Sequence, residues 1–151
     1  MSKYLLSVDP GKHHCGVAVF DIPDRRLVSA ELVKTVDLRD FFLSLWCRHQ
    51  IQTLVIEKPI RRAREQFKMD DLISLAIVVG QVVAIVNAPE VVYWAPHEWN
   101  RGKPKEVTHG RVRVVLTVME KEKIRMPKAV KTLGHNVLDG VAIGLKWLGR
   151  L

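Results

Sequence analysis

The chain opens on an apolar run, KYLLSV, that stops at Asp9, and the turn-forming stretch DPGKHH separates it from a second apolar run, CGVAVF. Short continuous apolar segments bounded by turn residues read as buried strands. DIPDRR marks another turn before LVSAELV, and the three strands together predict an antiparallel meander. DLRDFFLSLWCRHQ changes to helical spacing, with Asp37 at the N-cap position. TLVIE is a fourth strand and ends at Glu57, followed by the basic, irregular stretch KPIRRARE. Asp70 or Asp71 caps the next helix, LISLAIVVGQVVAIV, which extends to about Asn87 and is apolar almost all the way round. VVYWA is a fifth strand and PHEWNRGKPKE a polar loop. VTHGRVRVVLTVMEKEK and GHNVLDGVAIGLKWLGRL complete the chain as two helices. This order predicts an α/β layered fold with a mixed sheet, and it excludes an all-helical DNA-binding module. No internal repeat, low-complexity tract or linker interrupts it, so residues 1–151 are expected to form a single domain.

Composition adds a partner to this picture. About half of the residues are apolar, enough for a real core, while 24 Lys and Arg against 16 Asp and Glu leave a net charge of +8. Such an excess on a small domain points to a polyanion, most often nucleic acid; the plainer alternative is a basic surface without a partner. Cys15 and Cys47 have neither a disulfide framework nor metal-ligand spacing, and are expected to be buried free thiols in a reducing compartment. MSKYLLSVDPG is too short an apolar stretch for a signal peptide, and no segment reads as a membrane span. A cytoplasmic protein without membrane contact is expected.

Three carboxylates carry the candidate chemistry. Asp9 and Glu57 each follow an apolar strand, and if those strands are parallel neighbours about 4.8 Å apart, both carboxylates emerge together at one sheet edge. Two like charges so close repel unless a cation lies between them, and oxygen ligands with room for water suit Mg²⁺ or Mn²⁺. Asp139 is the third, set in an apolar helix where an unpaired charge is costly. Asn136 and His135, three and four residues earlier, can project from the same helix face, while Gly140 and Gly144 permit close backbone approach. Each acid also has a plain reading: a turn-starting Asp, a strand-end charge, a helix carboxylate paired with a Lys.

SVDPGKHHCGVAVF, LVIEKP and HNVLDGVAIGL together resemble the three acidic blocks of RuvC-like Holliday junction resolvases, in the ribonuclease-H-like superfamily. Asp9, Pro10, Gly11 and Gly16 match the first block, Ile56 and Glu57 the second, and Asp139 the last. The likeness covers nearly the whole chain in length and element order, although the identity lies mostly in these motifs. Short length and divergent blocks resemble a bacteriophage-type member. The resemblance implies a ribonuclease-H-like mixed five-stranded sheet, with its first three strands antiparallel and the rest parallel, flanked by helices. It also implies a structure-selective endodeoxyribonuclease that resolves four-way DNA junctions.

In such a site, two Mg²⁺ or Mn²⁺ ions activate water and stabilise the departing oxygen. Asp9 is expected to bridge both, with Glu57 and Asp139 holding one each and Asn136 assisting. Asn136 departs from the family, being neutral where many relatives carry an anionic ligand, and His135 is the alternative. The family's aromatic wedge after the second acid is also missing: PIRRAREQF places Ile60 near that position and Phe67 further on.

Lys103, Lys105 and Arg111 are candidates to stabilise charge on the phosphate. Lys12, Arg61, Arg62 and Arg64 leave the same sheet edge and are expected to contact the DNA backbone without reading sequence. Trp94 and Trp99 either stack on bases or belong to the core. His13 and His14 are placed in the turn beside Asp9. The apolar helix from Leu72 to Val86 needs a second covering surface, either a symmetric homodimer, which also suits a two-fold junction, or burial between the sheet and the last helices. Two other functions remain open: a YqgF-type RNA-processing nuclease, and a catalytically inactive nucleic-acid-binding module of the same fold.

Overall fold

The computed structural model describes residues 3–60, 69–127 and 133–151. Its strands are β1 (Tyr4–Asp9), β2 (His14–Asp21), β3 (Arg26–Lys34), β4 (Ile51–Glu57), β5 (Glu90–Trp94) and β6 (Ile124–Arg125). The helices are α1 (Leu38–Trp46), α2 (Met69–Val86), α3 (Pro96–Asn100), α4 (Lys105–Val115), α5 (Val118–Lys121) and α6 (Gly134–Trp147). The strands join in one sheet of order β5-β4-β1-β2-β3-β6. β1, β2 and β3 pair antiparallel, whereas β4 pairs parallel with both β1 and β5. The meander and the parallel half are as expected. The sheet has six strands rather than five, because Ile124 and Arg125 add a short parallel edge beside Ala30 and Glu31.

Alternation along the strands sorts two cores onto the two faces of the sheet. Leu5, Ala18, Phe20 and Val55 pack with Val137, Val141 and Leu145 of α6. Leu6, Val8, Val17, Val19, Leu54 and Ile56 pack on the other face, with Phe42 of α1 and Val78, Val82 and Val86 of α2. This parity matters for the strand ends. Asp9 shares the face of Leu5, and Glu57 that of Val55, so both belong to the side covered by α6.

α6 lies unusually close to the sheet, and glycines permit it. A Cβ on Gly16 of β2 would stand 1.7 Å from the carbonyl oxygen of Asn136, and one on Gly140 would stand 2.9 Å from the carbonyl oxygen of Gly16. Ser7 Oγ also donates to the Gly140 carbonyl, at 2.7 Å. These contacts fix where Asp139, one residue earlier, meets the sheet edge.

Several local expectations change. Asp37 precedes α1, but its side chain makes no capping bond; a single 3-10 turn, Thr35–Asp37, leads into the helix instead. Asp70 and Asp71 lie within the first turn of α2. The polar loop contains α3, whose N-terminal Pro96 is preset for a helix start. The helix expected over 107–123 breaks into α4 and α5, because Thr117 and Glu120 form a capping box: Glu120 N donates to Thr117 Oγ1 at 3.3 Å and Thr117 N to Glu120 Oε2 at 2.9 Å. Cys15 is buried, but Cys47 is exposed at the end of α1.

α2 also departs from expectation. It is 18 residues long with a mean hydropathy of 2.0, enough by length and composition to cross a membrane, and 22% of that stretch is buried in the fold. It packs with α1 on the face opposite α6, so the last helices do not cover it. Ile73 and Ile77 stand 52% and 56% exposed on its outer side.

Candidate active site

β1 and β4 are parallel neighbours in register through Val8 and Ile56, so the next residues, Asp9 and Glu57, leave the same edge side by side. Asp139 approaches from α6, almost completely buried. The three carboxylates therefore come together from β1, β4 and α6. Asp9 records the crowding: burial, then the charges of Glu57 and Asp139, hold its pKa well above the usual 3.8, opposed by the ammonium of Lys105.

Asp139 is differently placed. Lys105 Nζ donates to its Oδ2 at 2.6 Å, and His109 Nε2 stands 2.7 Å from its Oδ1. Burial raises the Asp139 pKa, but these two partners outweigh it and hold the carboxyl below its ordinary range. Burial likewise works against the charge on Lys105, yet Asp139, with Asp9 and Glu57, raises its pKa. Glu57 Oε2 accepts from the indole N–H of Trp99 at 2.6 Å. Among the described residues, no group of three or more His, Cys, Asp or Glu stands together as a ready metal cage. The site is an acidic cluster with a lysine folded into it.

No protein-family model matches the chain, and no curated protein matches its sequence. Solved structures do. The RuvC of Thermus thermophilus in complex with a Holliday junction substrate is similar at 19% identity and TM-score 0.66, over 94% of this chain and 90% of that one. Another Thermus thermophilus RuvC structure gives 18% identity and TM-score 0.65, over 97% of each chain. The yeast mitochondrial Holliday junction resolvase Ydc2 gives 11% and 0.54, over 97% of this chain and 79% of that one. The chain has the RuvC fold. At this identity the shared property is the fold alone; in this chain Asp9 and Glu57 leave one edge of the sheet and Asp139 meets them from α6.

Within the RuvC-like fold the other predicted residues fall into distinct places. Asn136 is half-buried in the first turn of α6, where its backbone carbonyl faces Gly16; it takes no part in the bonds that tie Asp139. His135 does not turn toward Asp139. Its ring stacks on His109, with centroids 5.3 Å apart and planes at 17°, and the two Nδ1 atoms are 3.4 Å apart. Lys105, a candidate for the phosphate, bonds Asp139 at the acidic cluster. Lys103 is exposed in a cleft of about 250 Å³ with Ile60, His97 and Asn100, and Arg111 is half-buried on α4.

Lys12 pairs with Asp71 at 3.3 Å, tying the β1–β2 turn to the start of α2. Arg61, Arg62, Arg64 and Phe67 lie outside the described residues. His14 begins β2 opposite Lys34, while His13 lines a separate cleft with Lys12, Thr35 and Arg39. Trp99 is buried and bonded to Glu57, so it does not stack on bases; Trp94 packs partly buried against the same core.

His109, bonded to Asp139, is a residue of the acidic cluster that sequence reasoning missed. A signal existed: Lys105 and His109 are four residues apart on one helix, and so share a face. That helix was expected to begin at Val107, which removed Lys105 from it.

Proposed function

We propose that the protein is a metal-dependent, structure-selective endodeoxyribonuclease that resolves four-way DNA junctions. The observation that carries this reading is the meeting of three carboxylates, Asp9 and Glu57 from the ends of two parallel strands and Asp139 from α6. Burial first, and then the two neighbouring charges, raise the Asp9 pKa there. A cluster that repels itself in this way favours a cation, and its oxygen donors suit a hard divalent ion. Lys105, with half its side chain exposed, is a partner that Asp139 can exchange for such an ion. With Lys105 displaced, the carboxylates offer the hard oxygen donors that such an ion takes. Asp9, Glu57 and Asp139 would hold it, with Asn136 alongside. Two Mg²⁺ or Mn²⁺ ions bound there supply an activated water and compensate the charge that develops on the phosphodiester.

The chain's own residues contribute the rest. Once released from Asp139, Lys105 carries a positive charge beside the carboxylates, suited to a scissile phosphate. Lys103 and Arg111 extend this basic side, and Lys12, Arg61, Arg62 and Arg64 are the further proposed backbone contacts. The exposed Ile73 and Ile77 face of α2 supports a homodimer, and a pair of sites related by a two-fold axis matches a two-fold junction. A reducing, cytoplasmic setting accords with two free cysteines.

The test is cleavage of a labelled synthetic four-way junction in Mg²⁺ or Mn²⁺, beside linear duplex and an RNA–DNA hybrid. Paired nicks in the junction, lost in Glu57→Gln, are expected. Cleavage restricted to RNA would move the protein to the RNA-processing reading. Tight junction binding without cuts would leave a binding module.

A further inference from the structure

Two buried donors hold the outer carboxylates of the cluster. The indole N–H of Trp99 donates to Oε2 of Glu57, and Nε2 of His109 faces Oδ1 of Asp139. An ionised carboxylate can only accept, so His109 carries its proton on Nε2 in this pair. Both rings are 3% exposed, and packing therefore fixes the direction of each bond. Trp99 belongs to the same core as Val55, which lies two residues from Glu57 on β4. His109 is stacked against His135 on α6. Lys105 contrasts with both, because half of its side chain is exposed.

We propose that Trp99 and His109 are positioning residues of the metal site, each fixing one oxygen of one carboxylate so that Glu57 and Asp139 are aimed before a cation arrives. Lys105 is then the partner that gives way, opening Oδ2 of Asp139. The inference rests on the metal-site reading above and adds its second layer of hydrogen bonds. Donors behind metal-binding groups set both their orientation and their affinity, and removing one commonly costs about 10- to 100-fold in metal binding.

The experiment is titration of the full chain with Mn²⁺ in the absence of DNA, followed by the electron paramagnetic resonance signal of the free ion. Wild type is compared with Asp9→Asn, Trp99→Phe, His109→Leu and His109→Gln. Trp99→Phe keeps an aromatic ring without the N–H. His109→Leu keeps bulk without a donor, and His109→Gln restores an amide N–H near the place of Nε2. We expect Mn²⁺ to bind about tenfold or more weakly to Trp99→Phe and His109→Leu, with recovery in His109→Gln. Metal-free junction affinity should stay unchanged in all three, which a general loss of structure would not allow. Mn²⁺ affinity within about twofold of wild type in Trp99→Phe or His109→Leu overturns the role of that residue. Should His109→Leu fail to fold, His109→Gln decides: affinity near wild type supports the donor, and a tenfold loss overturns it. Wild type that binds no Mn²⁺, or binding that Asp9→Asn leaves intact, overturns the metal-site reading itself and this inference with it.

Discussion

Lys105 Nζ lies 2.6 Å from Oδ2 of Asp139, joining the start of α4 to the middle of α6 across the acidic cluster. The pair is lopsided. Asp139 is 1% exposed, whereas the lysine side chain is half exposed, so water screens one partner and not the other. An ammonium in this place competes with any divalent ion for the same oxygen. Lys105→Met should therefore bind Mn²⁺ more tightly in isothermal titration, by about fivefold if the pair contributes about 1 kcal/mol. Cleavage should fall in the same variant, because the charge proposed to face the phosphate is gone. Weaker Mn²⁺ binding would show that Lys105 supports the metal site instead of competing with it.

Asp9 should behave as a residue that costs stability. Its folded-state pKa is raised, so the native chain holds its proton more tightly than the unfolded chain does. The sign follows: stability declines as pH rises from the usual aspartate value through the raised one, and the deficit is fully present above it. Asp9→Asn removes the repelling charge and should melt higher than wild type in metal-free buffer near neutral pH. For a domain of this size each kcal/mol relieved corresponds to about 2–4 °C. Added Mg²⁺ should raise the melting temperature of wild type and leave the variant unmoved. A variant that melts lower would show that the Asp9 carboxylate stabilises the fold.

Much of this site was legible in the sequence because strand ends are. Asp9 and Glu57 close apolar runs, Asp139 interrupts one, and alternation along β1 and β4 turns both strand-end acids toward α6. Gly16 and Gly140 were visible as glycines, but their mutual contact depends on two elements far apart in sequence. The sixth strand was not legible, since two residues carry no period. The break at Thr117 was present as T-V-M-E, a capping signal overridden by the helical spacing on either side. His109 and Trp99 were hidden for a different reason: a buried polar ring looks like core until its partner is known, and both partners are distant carboxylates.

Gly16→Ala tests how tightly α6 must sit. The new methyl would meet the backbone of Asn136, which cannot rotate away, so α6 must lift from β2. Overpacking of this kind costs about 1–3 kcal/mol or more, and it displaces Asp139 from the other two acids. We expect a chain that melts several degrees lower and loses Mn²⁺ binding together with cleavage. Unchanged Mn²⁺ affinity would show that Asp139 keeps its place without the close contact.

A second ionic cluster, far from the acids in role, anchors the C-terminus. Burial raises the Glu120 pKa, but hydrogen bonds from Arg150 and from the backbone N–H groups of Leu27 and Thr117 outweigh it and bring the carboxyl to about 2. Both oxygens accept from Arg150, at 2.5 and 2.9 Å. The folded value lies below the usual 4.5, so this contribution is complete above 4.5 and is lost as pH falls toward 2. The shift corresponds to about 3 kcal/mol at most, less what water screening of the partly exposed Arg150 side chain removes. Glu120→Gln should lose an amount of that order in urea unfolding at pH 7, and its stability should fall less steeply than wild type between pH 4.5 and 2. Parallel acid profiles in the two proteins would exclude Glu120 as the titrating group.

The outer face of α2 tests the proposed dimer. Ile73 and Ile77 are one turn apart and half exposed, while Val78, Val82 and Val86 already fill the core on the inner side. Charges placed at 73 and 77 therefore leave the packed face untouched. Ile73→Asp combined with Ile77→Lys should keep the melting temperature of the folded chain within a few degrees, because exposed positions contribute little to stability. Wild type should run as a dimer in light scattering, and the double variant as a monomer. Junction cleavage by that monomer should shift from paired nicks to single, uncoupled ones, since each fold carries one acidic cluster. A monomeric wild type would remove α2 from the dimer reading and leave its apolar face to another occupant, a bilayer among them, which vesicle flotation would reveal.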